Sequence, residues 1–360
     1  MILSFRIFFL RRVHTTGRNV ARRHGMKKLG STYCFTRPVY VAGYAACVGT
    51  KEGQGPLGSC FDVVLTDNRY GQETWEKAES AMVETAARRA VSKAGLVESD
   101  IGCALGGDLL NQCIASGYAM RQLGQPYFGL YGACSTMAES LLLGGALIAG
   151  GFEETALCMA SSHFCSAERQ YRYPLEYGGQ RPPTAQWTVT GAGAVVLGTK
   201  ETGIRLTRAT PGRVFDPGIK DAANMGAAMA QSAYETLRQF FLDTGTGPAE
   251  YDLIATGDLG AIGSSLLESL FRGDGMPLGQ QYTDCGLLMF DRQAQDVHAG
   301  GSGCGCCASV LCGHILPQLQ QGTLRRVLLC ATGAMMSPVS VNQGESIPGI
   351  CHLLELEVCK

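Results

Sequence analysis

The chain has 360 residues, of which 30 are basic and 31 acidic, so its formal net charge is −1. This balance gives no indication of a nucleic-acid-binding surface. Charged residues make up 17% of the chain, against about 25% in a typical protein, so much of it must be buried in large cores or in a subunit interface. At about 150 residues per domain, the length predicts two domains or one doubled domain.

Residues 1–25 are basic, contain no acidic residue and differ in composition from everything that follows. They resemble a transit or signal segment, but no small-residue cleavage site follows and Met26 makes a natural start. We expect a disordered tail or an upstream start codon that was assigned in error. Because no run of about 18 apolar residues occurs, we predict no membrane-spanning helix, and any membrane association would be peripheral.

Along the rest of the chain, short apolar segments alternate with longer helical ones, which is typical of an α/β fold. The predicted strands are 39–48, 100–105, 127–131, 155–161, 193–198, 204–209, 253–256, 326–332 and 350–358. The predicted helices are 74–94, 112–123, 135–148, 222–241, 263–271 and 305–320.

The two halves of the chain repeat each other. The motif ALGGDL in the first half is echoed by IATGDL in the second. Cys134 precedes Cys158 by 24 residues, and Cys306 precedes Cys330 by the same interval. Two like α/β units packed face to face would bury between their sheets the helices that follow Cys134 and Cys304, which are rich in small and apolar residues.

Cys134 is the leading candidate for a functional residue, because it lies where an apolar strand turns into a helix. A thiol at a helix N-terminus meets free N–H groups and the positive end of the helix dipole, which favour the thiolate. That arrangement suits a nucleophile or an anion-binding site. The alternative is a buried cysteine that packs as a small apolar residue.

The other cysteines are interpreted as reduced core residues, because many of the sixteen lie inside apolar segments. Cys304, Cys306 and Cys307, with Cys312 further on, contain one C-x-x-C pair that would suit zinc or redox chemistry. No second pair completes a tetrahedral site. A tightly packed buried helix is the interpretation that the surrounding glycine and alanine favour.

Several motifs together resemble the thiolase and ketoacyl synthase superfamily: the doubled α/β unit, the GACS turn at Cys134, VTGAGAVVLG at 189–198 and HAGGSG at 298–303. More narrowly, four strings resemble the stage V sporulation protein AD family. They are GGDLLNQ at 106–112, FGLYGACSTMAES at 128–140, SSHFCSAERQ at 161–170 and EYGGQRPPTAQW at 176–187.

This resemblance implies a thiolase-like duplicated α/β fold with two similar halves, 26–200 and 201–360, in a layered αβαβα arrangement. It also implies a spore-forming bacterium and non-catalytic binding of dipicolinic acid for uptake into the developing spore. The implied location is the spore or forespore, peripheral to the inner spore membrane. The implied partners are membrane-embedded stage V A sporulation proteins and a second copy of the chain, with no nucleic acid.

The alternative function is that of an acyl-condensing enzyme. Such an enzyme needs a thiolate to accept the acyl group, a base beside it and donors for the thioester oxygen. Cys134 would accept the acyl group, and His298 lies where the resemblance implies a base or donor. Asp258, however, stands where condensing enzymes usually have a histidine, and a carboxylate cannot donate to an oxyanion unless it is protonated.

Dipicolinate, a dianion that chelates calcium, could use the same residues differently. Backbone N–H groups of Ser135 and Thr136, with His298, could meet one carboxylate. Asp258 would repel the ligand unless it carried a proton, shared a calcium ion or stood beside a cation such as Arg181 or Arg169. We expect no cofactor or resident metal, apart from calcium accompanying the ligand.

Structural roles remain the alternatives for these residues. His298 could be an ordinary loop histidine, and Asp258 could cap the helix that follows it. His163 could order its loop or a subunit contact. A third function, that of a metal or redox protein using the Cys304 cluster, would be tested by metal analysis.

Overall fold

A computed structural model describes residues 25–171 and 181–359 of the chain. The predicted basic extension lies outside the described residues, apart from Gly25. The first part of the string at 176–187 lies outside them as well.

The described residues form fourteen strands. They are β1 Met26–Leu29, β2 Thr32–Val48, β3 Val63–Val64, β4 Cys103–Gly107, β5 Tyr127–Gly129, β6 Thr155–Ser162, β7 Trp187–Thr188, β8 Gly191–Gly198, β9 Ile204–Thr210, β10 Leu253–Thr256, β11 Tyr282–Asp284, β12 Gly301–Ser302, β13 Arg326–Ala334 and β14 Gly349–Val358.

The helices of the described residues are α1 Thr50–Gly53, α2 Trp75–Lys93, α3 Ile114–Leu123, α4 Thr136–Gly150, α5 Phe164–Tyr171, α6 Met225–Thr244, α7 Gly260–Gly273, α8 Cys285–Met289, α9 Cys304–Val310, α10 Leu316–Gln320 and α11 Pro338–Asn342. A π-helical turn, Leu311–Ile315, joins α9 to α10.

Strand order and direction repeat between the halves. The first half runs β5-β4-β6-β8-β2 and the second β11-β10-β13-β14-β9, so each half places its five main strands in the chain order 3-2-4-5-1. In each half the first three strands of that order pair parallel with one another. The fourth strand pairs antiparallel with both the third and the fifth. Strands β2 and β9 pair antiparallel and join the halves into one sheet. The predicted duplicated α/β fold is confirmed.

Three hydrophobic cores lie between the strands and the helices that pack on them. Helix α4 packs against β2, β4 and β6 of the first half and against β13 and β14 of the second, and α9 packs on β6 and β8. Outside this central core, α2 covers the first half and α6 with α7 covers the second. Every residue of α9 is buried, as predicted for a helix between two sheets.

One segment of the described chain, Ala133–Gly150, is long and apolar enough to cross a membrane by length and composition alone. The sequence predicted no such segment. In the fold 72% of it is buried, because it is the central helix α4 with the turn before it.

The predicted strands and helices all occur, with shifted ends. The predicted helix 305–320 is interrupted by the π-helical turn, since Pro317 has no N–H to donate to the preceding turn. The sequence did not predict the short elements, because they are too short to show a period. They are β1, β3, β7, β11, β12, α1, α5, α8 and α11.

Gly193 lets β8 approach α9. A Cβ atom at this position would lie 2.4 Å from the carbonyl oxygen of Ala308, which is backbone and cannot rotate away. We therefore expect Gly193→Ala to lower the free energy of unfolding by about 1–3 kcal/mol, measured by urea denaturation.

Gly117→Ala is the matched control, because nothing lies within 4 Å of a Cβ placed there in α3. It should stabilise the protein by up to about 1 kcal/mol, because alanine favours a helix over glycine. Unchanged stability of Gly193→Ala would show that β8 and α9 do not pack this closely.

Candidate functional site

Cys134 lies in the short turn Ala133–Ser135, between β5 and α4. Ala133 has a φ of 49°, a left-handed conformation that is uncommon for a residue with a side chain. Gly333 of β13 passes so close that a Cβ there would lie 2.4 Å from the Gly132 oxygen. The second half of the chain therefore holds the turn that carries Cys134, and the predicted strand, turn and helix are present.

The carboxylate of Asp258 faces this turn from the second half. Its Oδ1 accepts a hydrogen bond from Thr332 Oγ1 at 2.8 Å, and its Oδ2 accepts from Ser302 Oγ at 3.1 Å and the Gly303 N–H at 2.9 Å. The Cys134 thiol lies near the same carboxylate, and the negative charge of Asp258 raises the pKa of the thiol. The structure thus brings Cys134 and Asp258 together, and both are buried.

The pKa of the Cys134 thiol is raised well above its usual value. Burial is the largest cause, and the negative charge of Asp258 and the nearby Cys304 add to it, while a hydrogen bond from the Gly303 N–H acts in the opposite direction. Burial also raises the pKa of Asp258, against the effect of the hydrogen bonds that the carboxylate accepts. At neutral pH the site therefore holds a thiol rather than a thiolate.

Ser135 and Thr136 are fully buried and use their polar groups within the turn. The Ser135 hydroxyl donates to the Gly132 oxygen at 2.6 Å, and the Thr136 hydroxyl donates to the Ala133 oxygen at 2.7 Å. Their backbone N–H groups donate to the same two carbonyls. A ligand carboxylate would have to displace these bonds to be bound here.

Asp258 does not cap the following helix, so the N-cap alternative is wrong. Helix α7 begins at Gly260, and Asp284 accepts from the N–H groups of Leu259 and Gly260 at 2.8 and 3.0 Å. Burial raises the pKa of Asp284 to about 6. Sequence reasoning missed Asp284, because the strand that it ends, Tyr282–Asp284, is too short to be predicted and its contacts with Leu259 and Gly260 are distant in sequence.

His298 and Arg181 meet at Asp296. His298 Nε2 lies 3.0 Å from Asp296 Oδ1, and an Arg181 terminal nitrogen lies 2.6 Å from Asp296 Oδ2. The six candidate site residues therefore fall into two groups, one around the buried Cys134 and Asp258 and one around Asp296. The two-residue ladder of β7 with β12 joins the groups, since Trp187 pairs with Gly301 and Thr188 with Ser302.

Gln186 connects this ladder to Asp258 and was missed from the sequence. Its side-chain Nε2 donates to the backbone oxygens of Asp258 and Gly301, both at 2.7 Å. This buried amide fixes the Asp258 loop against the loop that carries His298.

His163 has a structural role in the fold. Its Nδ1 accepts from the Cys165 N–H at 3.2 Å, so Nε2 carries the proton and donates to the Asn68 oxygen at 2.9 Å. Burial lowers the pKa of this histidine, which keeps it neutral. Arg169 forms an ion pair with Glu76, on the side of the fold near α2 and α5.

The Cys304 cluster is buried in α9. The Cys304 thiol donates to the Ala133 oxygen at 2.9 Å, which ties α9 to the Cys134 turn. Within residues 25–171 and 181–359, no group of three or more histidine, cysteine or acidic side chains is arranged to hold a metal ion.

The raised pKa of Cys134 predicts slow alkylation. With iodoacetamide at pH 7.5 and peptide mass spectrometry, we expect Cys134 to react at least about a hundredfold more slowly than Cys60, because only the thiolate reacts. Cys60 is exposed and is the internal control. In denaturant the two should react at similar rates.

Asp258→Asn should accelerate alkylation of Cys134, since it removes a negative charge that raises the thiol pKa. Asp291→Asn, at an exposed loop aspartate, is the matched control and should change nothing. Rapid labelling of Cys134 in the unchanged protein would contradict this description of the site.

Comparison with known proteins identifies the family. The sequence model of the stage V sporulation protein AD family matches residues 30–357. The stage V sporulation protein AD of Bacillus subtilis (strain 168) is 45% identical over 328 residues, which cover 91% of this chain and 97% of that protein.

Solved structures of condensing enzymes share the fold. The 3-oxoacyl-[acyl-carrier-protein] synthase III of Aquifex aeolicus VF5 has a TM-score of 0.54 and 13% identity, covering 89% of this chain and 99% of that chain. Cerulenin-bound OleA of Xanthomonas has a TM-score of 0.57 and 17% identity, covering 89% and 96%. The fold is thiolase-like, and the chain belongs to the stage V sporulation protein AD family.

Proposed function

We propose that the protein binds dipicolinic acid, free or with calcium, for uptake into the developing spore, and that it catalyses no acyl transfer. Membership of a sporulation family supports the cellular role. The observation that carries the non-catalytic part is the buried Asp258 carboxylate beside the buried Cys134 thiol, whose pKa it raises.

Acyl transfer needs a thiolate and donors aimed at the developing oxyanion. Cys134 is held as a thiol, because burial and the charge of Asp258 both raise its pKa. Asp258 itself would present acceptor oxygens to an oxyanion, and these oxygens already accept from Thr332, Ser302 and Gly303. This arrangement disfavours both the formation of the thiolate and the stabilisation of the oxyanion.

The condensing enzyme remains the second candidate, because Cys134 occupies a strand-to-helix turn with a left-handed residue before it. The solved structures that share the fold include synthases. Incubation with a short-chain acyl-coenzyme A, followed by mass spectrometry of the peptide that contains Cys134, separates the candidates. A stable acyl adduct would favour the enzyme.

The proposal also includes a location at the inner spore membrane, membrane-embedded stage V A proteins as partners, and a homodimer. These follow from the family resemblance. Pull-down of the partners from sporulating cells and sedimentation of the purified chain would test them.

Calorimetric titration with dipicolinate tests the ligand. We expect saturable binding with one site per chain, and weaker binding of pyridine-2-carboxylate, because that analogue lacks one carboxylate. Repeating the titration with calcium shows whether the free dianion or its calcium complex is the ligand. No heat of binding with or without calcium, checked by equilibrium dialysis, would overturn the proposal.

A further inference from the structure

Two cations and a second aromatic ring surround Trp187. Phe164 stacks on the indole with ring centroids 3.9 Å apart and an interplanar angle of 12°. Lys51 Nζ lies 3.8 Å and the Arg181 guanidinium carbon 4.7 Å from the indole centroid. Cations at such distances are attracted by the ring's π electrons.

Positive charge is in excess at this place. Both cations contact Asp296. Arg181 donates to the Asp296 carboxylate, and Lys51 donates to the Asp296 backbone oxygen at 3.3 Å. Within the described parts of the chain, the Lys51 ammonium has no carboxylate as an ion-pair partner. Burial lowers the pKa of Lys51, and the charge of Arg181 lowers it further while Asp296 raises it.

The surrounding loop does not cancel this charge. Arg292 Nε donates to the His298 oxygen at 2.9 Å, and Asp291 accepts from the N–H groups of Gln293 and Ala294. The loop thus contributes one further cation and one further carboxylate. The Asp296 carboxylate is shared by Arg181 and the His298 ring. Lys51 donates to the Asp296 backbone oxygen, and the charges of Asp296 and Glu52 both raise its pKa.

The buried group around Cys134 offers a dianion the opposite environment. Its charged side chain is the Asp258 carboxylate, which repels a second carboxylate in a medium of low dielectric constant. Charge compensation for a dicarboxylate must therefore come from elsewhere. The Trp187 group is adjacent to the Asp258 group in the fold. Strand β7 begins at Trp187 and pairs with β12, and Ser302 of β12 donates to Asp258.

We propose that Lys51 and Arg181, held over Trp187, form the site that binds the two carboxylates of a planar aromatic dicarboxylate. This inference rests on the proposed function and deepens it. The Asp296 carboxylate, whose side chain is 72% exposed, occupies the position between Arg181 and His298 that one ligand carboxylate would take. The ligand displaces it, and the second carboxylate pairs with Lys51.

Calorimetric titration of full-length variants with dipicolinate tests the site. Lys51→Gln and Arg181→Gln should each weaken binding by about tenfold or more, since each removes a charged donor to a carboxylate. Lys51→Arg keeps the charge and should bind within a few-fold of the unchanged protein. Arg121→Gln is the matched control, because Arg121 of α3 is exposed and also lies over an aromatic ring, that of Tyr118.

Asp296→Asn separates ligand binding from a structural role. If Asp296 competes with the ligand, its amide variant should bind dipicolinate more tightly, whereas loss of a structural ion pair would weaken binding. Thermal melts of every variant confirm folding.

The outcomes are distinguishable. If the unchanged protein does not bind dipicolinate, the proposed function fails and this site fails with it. If it binds and Lys51→Gln and Arg181→Gln bind equally well, or if Asp296→Asn binds more weakly, the site at Trp187 is wrong while the proposed function stands.

Discussion

The buried carboxylate of Asp258 is the constraint on which the site depends. Asp258, which follows β10, accepts hydrogen bonds from the turn at Ser302 and Gly303 and from Thr332 of β13. It also lies near enough to the Cys134 thiol of the first half to raise the pKa of that thiol. A buried carboxylate is costly unless donors surround it. The three donors that satisfy Asp258 therefore fix its carboxylate where it faces the Cys134 turn of the first half.

The aspartates of the repeated motif, Asp108 and Asp258, have different roles in the two halves. Asp108 occupies the same place in the first-half motif, yet it accepts from the Leu110 N–H and from both the N–H and the hydroxyl of Ser116. It thereby secures the start of α3, a task that Asp284 performs for α7 in the second half. Asp258 is consequently free to face Cys134.

The longer segments could be predicted from the sequence, because β6 is a short run that is buried on both faces and α2 buries residues at helical spacing. The turn at Cys134 was predictable for the same reason. The cap at Asp284, the Gln186 amide and the grouping of Lys51 with Arg181 were not, since each depends on contacts between residues far apart in the chain. Sequence also could not show that His298 and Cys134 belong to different groups.

The protonation of Cys134 is the central claim, and infrared spectroscopy measures it most directly. Because the chain has sixteen cysteines, the spectrum of Cys134→Ala is subtracted from that of the unchanged protein at pH 7. The account predicts an S–H stretching band in the difference, and this band should move in Asp258→Asn because the Asp258 carboxylate lies near the thiol. A difference spectrum with no S–H band would mean a thiolate at Cys134 and would contradict the account.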